Sequence, residues 1–392
     1  MTISEDHRWL IGEEAARWLE RVAEETSHQA ILPAYVKTLR RDLGITRTSL
    51  VLEQVQLRNR AAEKFSHAEQ LFFTPKGFEQ ATDEVLACYK ARRYSAGEPV
   101  HDLCCGIGGD AFGLLQRCPV QLVDREELSL FFARENVRRL GGAATSCSGD
   151  VTTLALPSGE AWHIDPDRRS TGPRTTRIEL GEPGVETLNR LLASNPRAGI
   201  KLAPATDLPV DWRERCQAEW IETRGECRQL VAWFDTLATS SGKQTATVLD
   251  RLSHATSFTG EADLPVPTTD QLGKYVYDPS PALLAAHLLG AWCEEQHLQA
   301  LAGRSLYLTN NTPLSSPLLQ TFRVVDLLPL DIPQLRSYVR VRGIGTVEIK
   351  QRGLGITPES LRPQLNLQGE EVAVILLTEI GKLKRAIVCQ RA

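Results

Sequence analysis

The chain has 392 residues, 42% hydrophobic and 24% charged, with a formal net charge of −4. These values are ordinary for a globular chain and exclude wholesale disorder; the charge speaks against coating nucleic acid in bulk and leaves room for a local basic patch. No apolar run approaches the roughly 18 residues of a membrane span. The first residues, MTISEDHRWLIGEE, lack the basic-then-apolar order of an export signal, so a cytoplasmic location is expected. Nine cysteines without a C-x-x-C spacing point to free thiols in a reducing compartment and to no metal site.

In the N-terminal region the apolar spacing is helical. EEAARWLERVAEE and SLVLEQVQLRNRAAEKF carry apolar positions three and four apart with charges between them. KGFEQATDEVLACYKARRY predicts one further helix, and Pro99 punctuates before a strand, VHDL. A glycine loop follows, then a helix over 109–117, the strand VQLVD, the helix REELSLFFARENVRRL, a turn at Gly141–Gly142 and a short strand over 144–147. AWHID predicts a strand ending on Asp165–Pro166, and GEPGVETLNRLLAS a helix leading into the strand AGIKLAP. Such alternation predicts a parallel, doubly wound α/β sheet with right-handed crossovers. Trp212, Trp220 and Trp233 flank what read as late helices, where packing is expected of them.

The proline-rich stretch EADLPVPTTDQLGKYVYDPSP marks a boundary. Three regions are therefore expected: a helical 1–76, a doubly wound 77–275 and a smaller α+β module over 276–392. The last opens with the helix PALLAAHLLGAWCEEQ. Strands at SLYLT, TFRVVDLL, TVEIKQR, EVAVILL and KRAIVCQ follow, with helical stretches at PQLRSYVRVRG and PESLRPQLN.

Chemistry concentrates in VHDLCCGIGGDAFGLL. Gly106, Gly108 and Ala111 satisfy G-x-G-x-x-G/A, a weak signal alone. The glycines let backbone approach a ligand, and the next helix offers free N–H groups. Asp102 decides between guests. A carboxylate beside a dinucleotide's pyrophosphate repels it and favours a cation. S-adenosylmethionine has no phosphate and carries both an ammonium and a sulfonium. Asp124, ending the second strand, suits the ribose hydroxyls of either cofactor. Asp150, after the third strand, is placed to accept from an adenine amino group. With Asp165 these acids all fall at carboxyl ends of strands, where open α/β sheets bind ligands. His101 and His163 lie in strand patterns and read as packed core.

DLCCGIGGD, the acid of VQLVD, SGD and IDPDRR together resemble the ordered motifs of class I S-adenosylmethionine-dependent methyltransferases. AEQLFFTPKGFEQAT makes the chain more narrowly similar to the trimethylguanosine-synthase-like group. LQTFRVVDLLP, GIGTVEIKQRG and PQLNLQGEEVAVILLT look like the THUMP-like domain attached to many bacterial members. The resemblance implies a Rossmann-like sheet, S-adenosyl-L-methionine as cofactor and an RNA substrate methylated on a guanine or another base nitrogen. It assigns the cofactor to Asp102, Cys104, Gly106, Gly108, Gly109, Asp110, Asp124, Arg125, Asp150, Val151 and Asp165. Catalysis falls to Asp165, Pro166 and Arg168, and substrate binding to Phe73, Thr74, Phe78, Arg168 and Arg169. Phe72 and Phe73 either cover the mouth of the site or staple the N-terminal helices to the sheet.

One stretch departs from the pattern. Enzymes that methylate exocyclic base amines usually end the fourth strand with Asn/Asp-Pro-Pro-aromatic, the aromatic stacking on the flipped base. Here Asp165 and Pro166 remain, but Asp167 replaces the second proline and Arg168 the aromatic. A guanidinium can stack on a base or fork onto an anion; equally, Asp167 can clamp Arg168 or Arg169. Two other readings stay open: a catalytically silent RNA-binding protein and a nicotinamide-dependent oxidoreductase. In the tail, Arg336, Arg340, Arg342, Lys350 and Arg352 gather against Glu348, either as a basic face for RNA or as a solvated surface.

Overall fold

The computed structural model describes residues 2–26, 32–167, 177–303 and 306–392. Contacts divide the chain into two compact units, one of 1–217, 229–241 and 249–254, the other of 218–228, 242–248 and 255–392.

The first unit opens with α1 (Glu5–Leu10), α2 (Glu13–Thr26) and α3 (Pro33–Ala61), the last kinked at Gly44. Their apolar faces supply Leu19, Val22, Val51 and Val55 to a core shared with Phe65, Phe72, Phe73, Phe78, Ile107 and Phe132. The helix expected over 76–94 is instead two, α4 (Pro75–Gln80) and α5 (Glu84–Ala91). Ala81 turns extended, and the Asp83 side chain accepts from the Val85 N–H, starting a new helix where periodicity alone ran straight through.

The sheet of this unit is built from β1 (Val100–Leu103), β2 (Val120–Asp124), β3 (Ala144–Ser148), β4 (Ala161–Ile164) and β5 (Ala198–Leu202). They run parallel in the order β3-β2-β1-β4-β5. The short α6 (Ala111–Leu114), α7 (Glu127–Arg139) and α8 (Val185–Ser194) serve as connections. β1, β4 and β5 are buried along their whole length, as doubly covered parallel strands are, and they carry His101, Asp102, His163 and Lys201 into the interior.

After α9 (Val210–Arg213) come β6 (Cys216–Thr223) and β7 (Glu226–Phe234). Their connection, Arg224–Gly225, has both residues at positive φ, the hairpin geometry that matches strand twist. This corrects the helical reading around Trp220 and Trp233. Packing was the right expectation: Trp212, Trp220 and Trp233 are all buried. β7 pairs antiparallel with β5.

Two side-chain amides tie the N-terminal segment to the sheet. Gln54 of α3 donates to the Phe73 carbonyl at 2.6 Å and accepts from the Phe73 N–H at 3.0 Å. Asn136 of α7 accepts from the Phe72 N–H at 2.7 Å and donates to the carbonyls of Phe72 at 3.0 Å and Ile107 at 3.1 Å. Both phenylalanine rings are fully buried, so they staple the helices.

The second unit carries β8 (Gln244–Leu249), β9 (Ala255–Gly260), β10 (Thr268–Thr269), β11 (Tyr275–Pro279), α10 (Pro281–Ala285) and α11 (Leu289–Gln296). The single helix expected over 281–296 breaks around His287, which sits at positive φ. β12 (Gln299–Leu301), β13 (Leu308–Asn310), β14 (Leu319–Pro329), α12 (Ile332–Val341), β15 (Ile344–Gln351), α13 (Pro358–Leu361), β16 (Glu371–Ile380) and β17 (Leu383–Arg391) complete it. The sheet order is β10-β12-β13-β11-β14-β17-β16-β15. α12 packs Leu335 and Val339 onto Ile349, Ile375 and Leu377.

The tail's cations do not form one basic face. Lys350 and Arg352 both donate to Asp278, at 2.8 and 2.7 Å, and Arg336 donates to the Gln364 carbonyl. Arg340 and Arg342 stay exposed. Among the described residues, no helix is long and apolar enough to cross a membrane.

Candidate active site

Strand register assembles the acids. Leu103 of β1 pairs with Val123 of β2 and Ile164 of β4, so Cys104, Asp124 and Asp165 share one level at the sheet's carboxyl edge, Asp124 as the last residue of β2 and the other two just past their strands. The Cys105 N–H donates to the Val123 carbonyl, which bends the loop over β2. Cys104 (φ 54) and Gly106 (φ 55) take left-handed conformations in this turn. A side chain added at Gly106 would meet nothing within 4 Å, so the loop borders open space. At Gly109, by contrast, a Cβ would lie 2.8 Å from the Thr82 backbone nitrogen, and only glycine lets the loop lie against the α4–α5 break.

Asp102 is 1% exposed, and its Oδ2 has no hydrogen-bond partner among the described residues. Burial, then the Asp110 charge, pushes its carboxyl well above the usual range. Asp124 accepts from the backbone N–H groups of Gly106 and Glu126, at 2.8 Å each, and burial outweighs these bonds to raise its carboxyl. Asp150 is exposed, and bonds from the Thr152 backbone and hydroxyl hold its carboxyl low. Val151 and Gly108 are buried. Arg125 pairs with Glu182, which raises it further.

Asp110 differs from expectation. Its carboxylate turns inward, 2.5 Å from the buried Lys90 ammonium, accepting from the Thr82 hydroxyl at 2.7 Å and lying 3.4 Å from His163. Burial opposes its charge, but Lys90, His163 and Lys201 hold its carboxyl well below the usual range. The reason it turns from the loop is Lys90, a cation with only 2% exposure that demands a counter-charge. His163 is a buried partner of Tyr94 and Asp110, and burial lowers it. His101 is also buried, 2.6 Å from Glu160.

Asp165, with 24% side-chain exposure, forms an ion pair with Lys201, which also donates to Thr82 at 2.9 Å. Because Ile164 pairs with Ile200, Lys201 stands directly beside Asp165 on the neighbouring strand. Pro166 is buried. Asp167 takes bonds from Gln80 at 2.8 Å and Lys76 at 2.9 Å and bridges Glu182 through backbone. Arg168 and Arg169 lie outside the described residues. Phe73 and Phe78 are core residues packed edge to face, and Thr74 caps α4; packing and capping are the roles the structure gives these three.

Lys90, Lys201 and Thr82 escaped the sequence reading. Lys201 had left a signal: a lone lysine in AGIKLAP, an otherwise apolar stretch of the kind a doubly covered strand requires.

A family model described as THUMP domain-like matches residues 319–391. An uncharacterized S-adenosylmethionine-dependent methyltransferase of Mycobacterium tuberculosis, strain ATCC 25618 / H37Rv, is 30% identical over 346 residues, covering 86% of this chain and 94% of its own length. Its counterpart in strain CDC 1551 / Oshkosh matches equally. A protein of Porphyromonas gingivalis W83 assigned as a methyltransferase superposes with a TM-score of 0.78 at 21% identity, covering 97% of this chain and 99% of its own, a likeness of fold. With a Rossmann-like sheet ending in acids and a THUMP-like tail, this chain belongs to the S-adenosylmethionine-dependent methyltransferases.

Proposed function

We propose that the chain methylates RNA, on a guanine or another base nitrogen, and acts in the cytoplasm. The observation that supports RNA is the THUMP domain-like match over 319–391, together with the exposed Arg340 and Arg342 in that unit. The trimethylguanosine-synthase-like grouping and the division at 76/77 and 275/276 belong to the same proposal.

The residues present fit the cofactor. Asp102 offers a buried oxygen without a partner among the described residues, suited to an ammonium, and the loop leaves room beside Gly106. When bound, S-adenosyl-L-methionine supplies a methyl group activated by its sulfonium. Asp124 keeps acceptor capacity for ribose hydroxyls, because each carboxylate oxygen has two lone-pair sites and each spends one on a backbone N–H. Asp150 stands at the rim, its Oδ1 already engaged in its own turn. Asp165 orients the acceptor. Alignment of a desolvated nucleophile accounts for most of what such a transfer asks of a protein.

Family membership removes the nicotinamide reading, since the cofactor is S-adenosyl-L-methionine. Incubating the protein with methyl-labelled cofactor and total bacterial RNA, protein or small metabolites tests the rest. Label in RNA is expected. Label confined to another fraction overturns the RNA assignment, and RNA binding with no label anywhere favours the silent reading.

A further inference from the structure

We infer that Lys201 is a positioning residue that pins Asp165 in an acceptor-only pose, and that the atom methylated therefore carries a hydrogen to donate. The choice of acceptor rests on the RNA reading; the role of Lys201 does not.

Lys201 reaches Asp165 from the adjacent parallel strand, with its side chain 6% exposed. It bonds Asp165 Oδ2 and the Thr82 hydroxyl, and that hydroxyl in turn donates to Asp110, the partner of Lys90. This chain is anchored at its middle and its far end: the Thr82 backbone by the close approach of Gly109, Lys90 by complete burial in α5. One oxygen of Asp165 is thus fixed on the protein side. The other, Oδ1, has no partner among the described residues, and the side chain keeps 24% of its surface. A carboxylate bonded to an ammonium has no proton to offer and can only accept. An amide in its place could turn its NH₂ outward; this arrangement cannot.

An acceptor-only oxygen selects its partner. An amine or a hydroxyl can donate to Oδ1 and aim its lone pair at the methyl carbon; a ring N–H can also donate to Oδ1 but must give up its proton before it has a lone pair to aim. A ring nitrogen without hydrogen presents a lone pair to a negative oxygen and is repelled. In the transfer, the acceptor's lone pair forms the new bond to carbon, and the carbon–sulfur bond breaks with its pair passing to sulfur. The acceptor's proton then leaves to solvent. Lys201 touches none of these atoms and acts through Asp165.

Three measurements on the full chain test this. First, crystal structures of wild type and K201M are compared. The Asp165 carboxylate is expected to leave its rotamer, with the backbone of β4 and β5 unchanged; an unmoved carboxylate overturns the role of Lys201. Second, K201M is assayed on whichever fraction wild type labels. A fall in kcat of about 10²-fold is expected, of the size a misplaced group causes, with KM and S-adenosylhomocysteine affinity nearly unchanged. Added to D165N it should cost nothing further, because both changes disable one device. Additive losses, or a loss in KM alone, overturn the positioning role. K201Q, which keeps a donor without the charge, replaces K201M in both arms should the latter not fold. Third, the labelled RNA is digested and the methylated nucleoside identified. A product methylated on a ring nitrogen that carries no hydrogen overturns the acceptor rule. If wild type labels no fraction, the methylation proposal fails, while the structural comparison still decides the part played by Lys201.

Discussion

Replacing Asp102 by Asn separates what this carboxylate costs the cofactor-free protein from what it gives the cofactor. The side chain is 1% exposed, its Oδ2 lacks a partner among the described residues, and its carboxyl is raised well above the usual 3.8. A raised folded value means that the native state holds the proton more tightly than the unfolded chain does. Stability therefore falls as pH climbs from 3.8 towards the raised value and stays low beyond it. Asn does not titrate, so its advantage over wild type is small in acid and grows with pH. An unsatisfied buried polar group costs about 1–3 kcal/mol and a charged one more, and we take the charge that Asn removes to be worth about the same amount. For a unit of about 150–250 residues, each kcal/mol moves Tm by about 2–4 °C, so Asp102→Asn should melt about 2–12 °C above wild type in alkaline buffer. The same variant loses the counter-charge for the cofactor's ammonium, about 1.5–3 kcal/mol. Affinity for S-adenosylhomocysteine should fall roughly ten- to 150-fold. Scanning calorimetry across pH and titration calorimetry read the two halves. A Tm gap that is constant or shrinks as pH rises would refute the account of burial, and unchanged affinity would refute the ammonium contact.

Asp124→Ala should weaken S-adenosylhomocysteine binding by about 1.5–3 kcal/mol for each ribose bond lost, and NAD should not bind at comparable concentration; calorimetry reads both. Lys90→Met strands the Asp110 charge and should destabilise by about 3–5 kcal/mol, as broken buried pairs do. Adding Asp110→Asn should recover most of that loss in urea melts, and no recovery would mean that the pair is not the reason Lys90 is buried. If the tail carries RNA, Arg340→Ala with Arg342→Ala should flatten the salt dependence of binding by roughly two phosphate contacts. A slope equal to wild type's would take those arginines off the RNA path.

Asp124 and Asp165 were legible because each closes a short, mostly apolar run, and a parallel sheet turns that regularity into a shared level in space. Glycine spacing marked the loop for a similar reason: few residues tolerate the left-handed turn at Gly106. What stayed hidden was polar and interior. Lys90 sits in ACYKARRY among other cations, and composition marks such a residue as surface; only the fold shows it meeting Asp110. Asp110 was accordingly assigned to the loop's ligand when its partner was a residue twenty positions upstream in α5. The β6–β7 hairpin was misread because both strands are covered over most of their length, which erases alternation, while Arg224–Gly225 was the turn signal available. Charge clustering in the tail ignored Asp278, which lies far off in sequence and claims two of the five cations.

The amides of Gln54 and Asn136 constrain how this lineage can change. Asn136 holds the Ile107 carbonyl inside the glycine loop with the same group that grips Phe72, so the loop and the segment before α4 share one fastening. A chain begun at residue 77 would lose Phe72, Phe73 and Gln54 together and leave Asn136 only its bond to Ile107. The N-terminal helices are thus not an accessory that recombination could discard or exchange. Substitutions at 54, 72, 73, 107 and 136 should be inherited as a set, and a relative lacking these helices must have found another way to steady its loop.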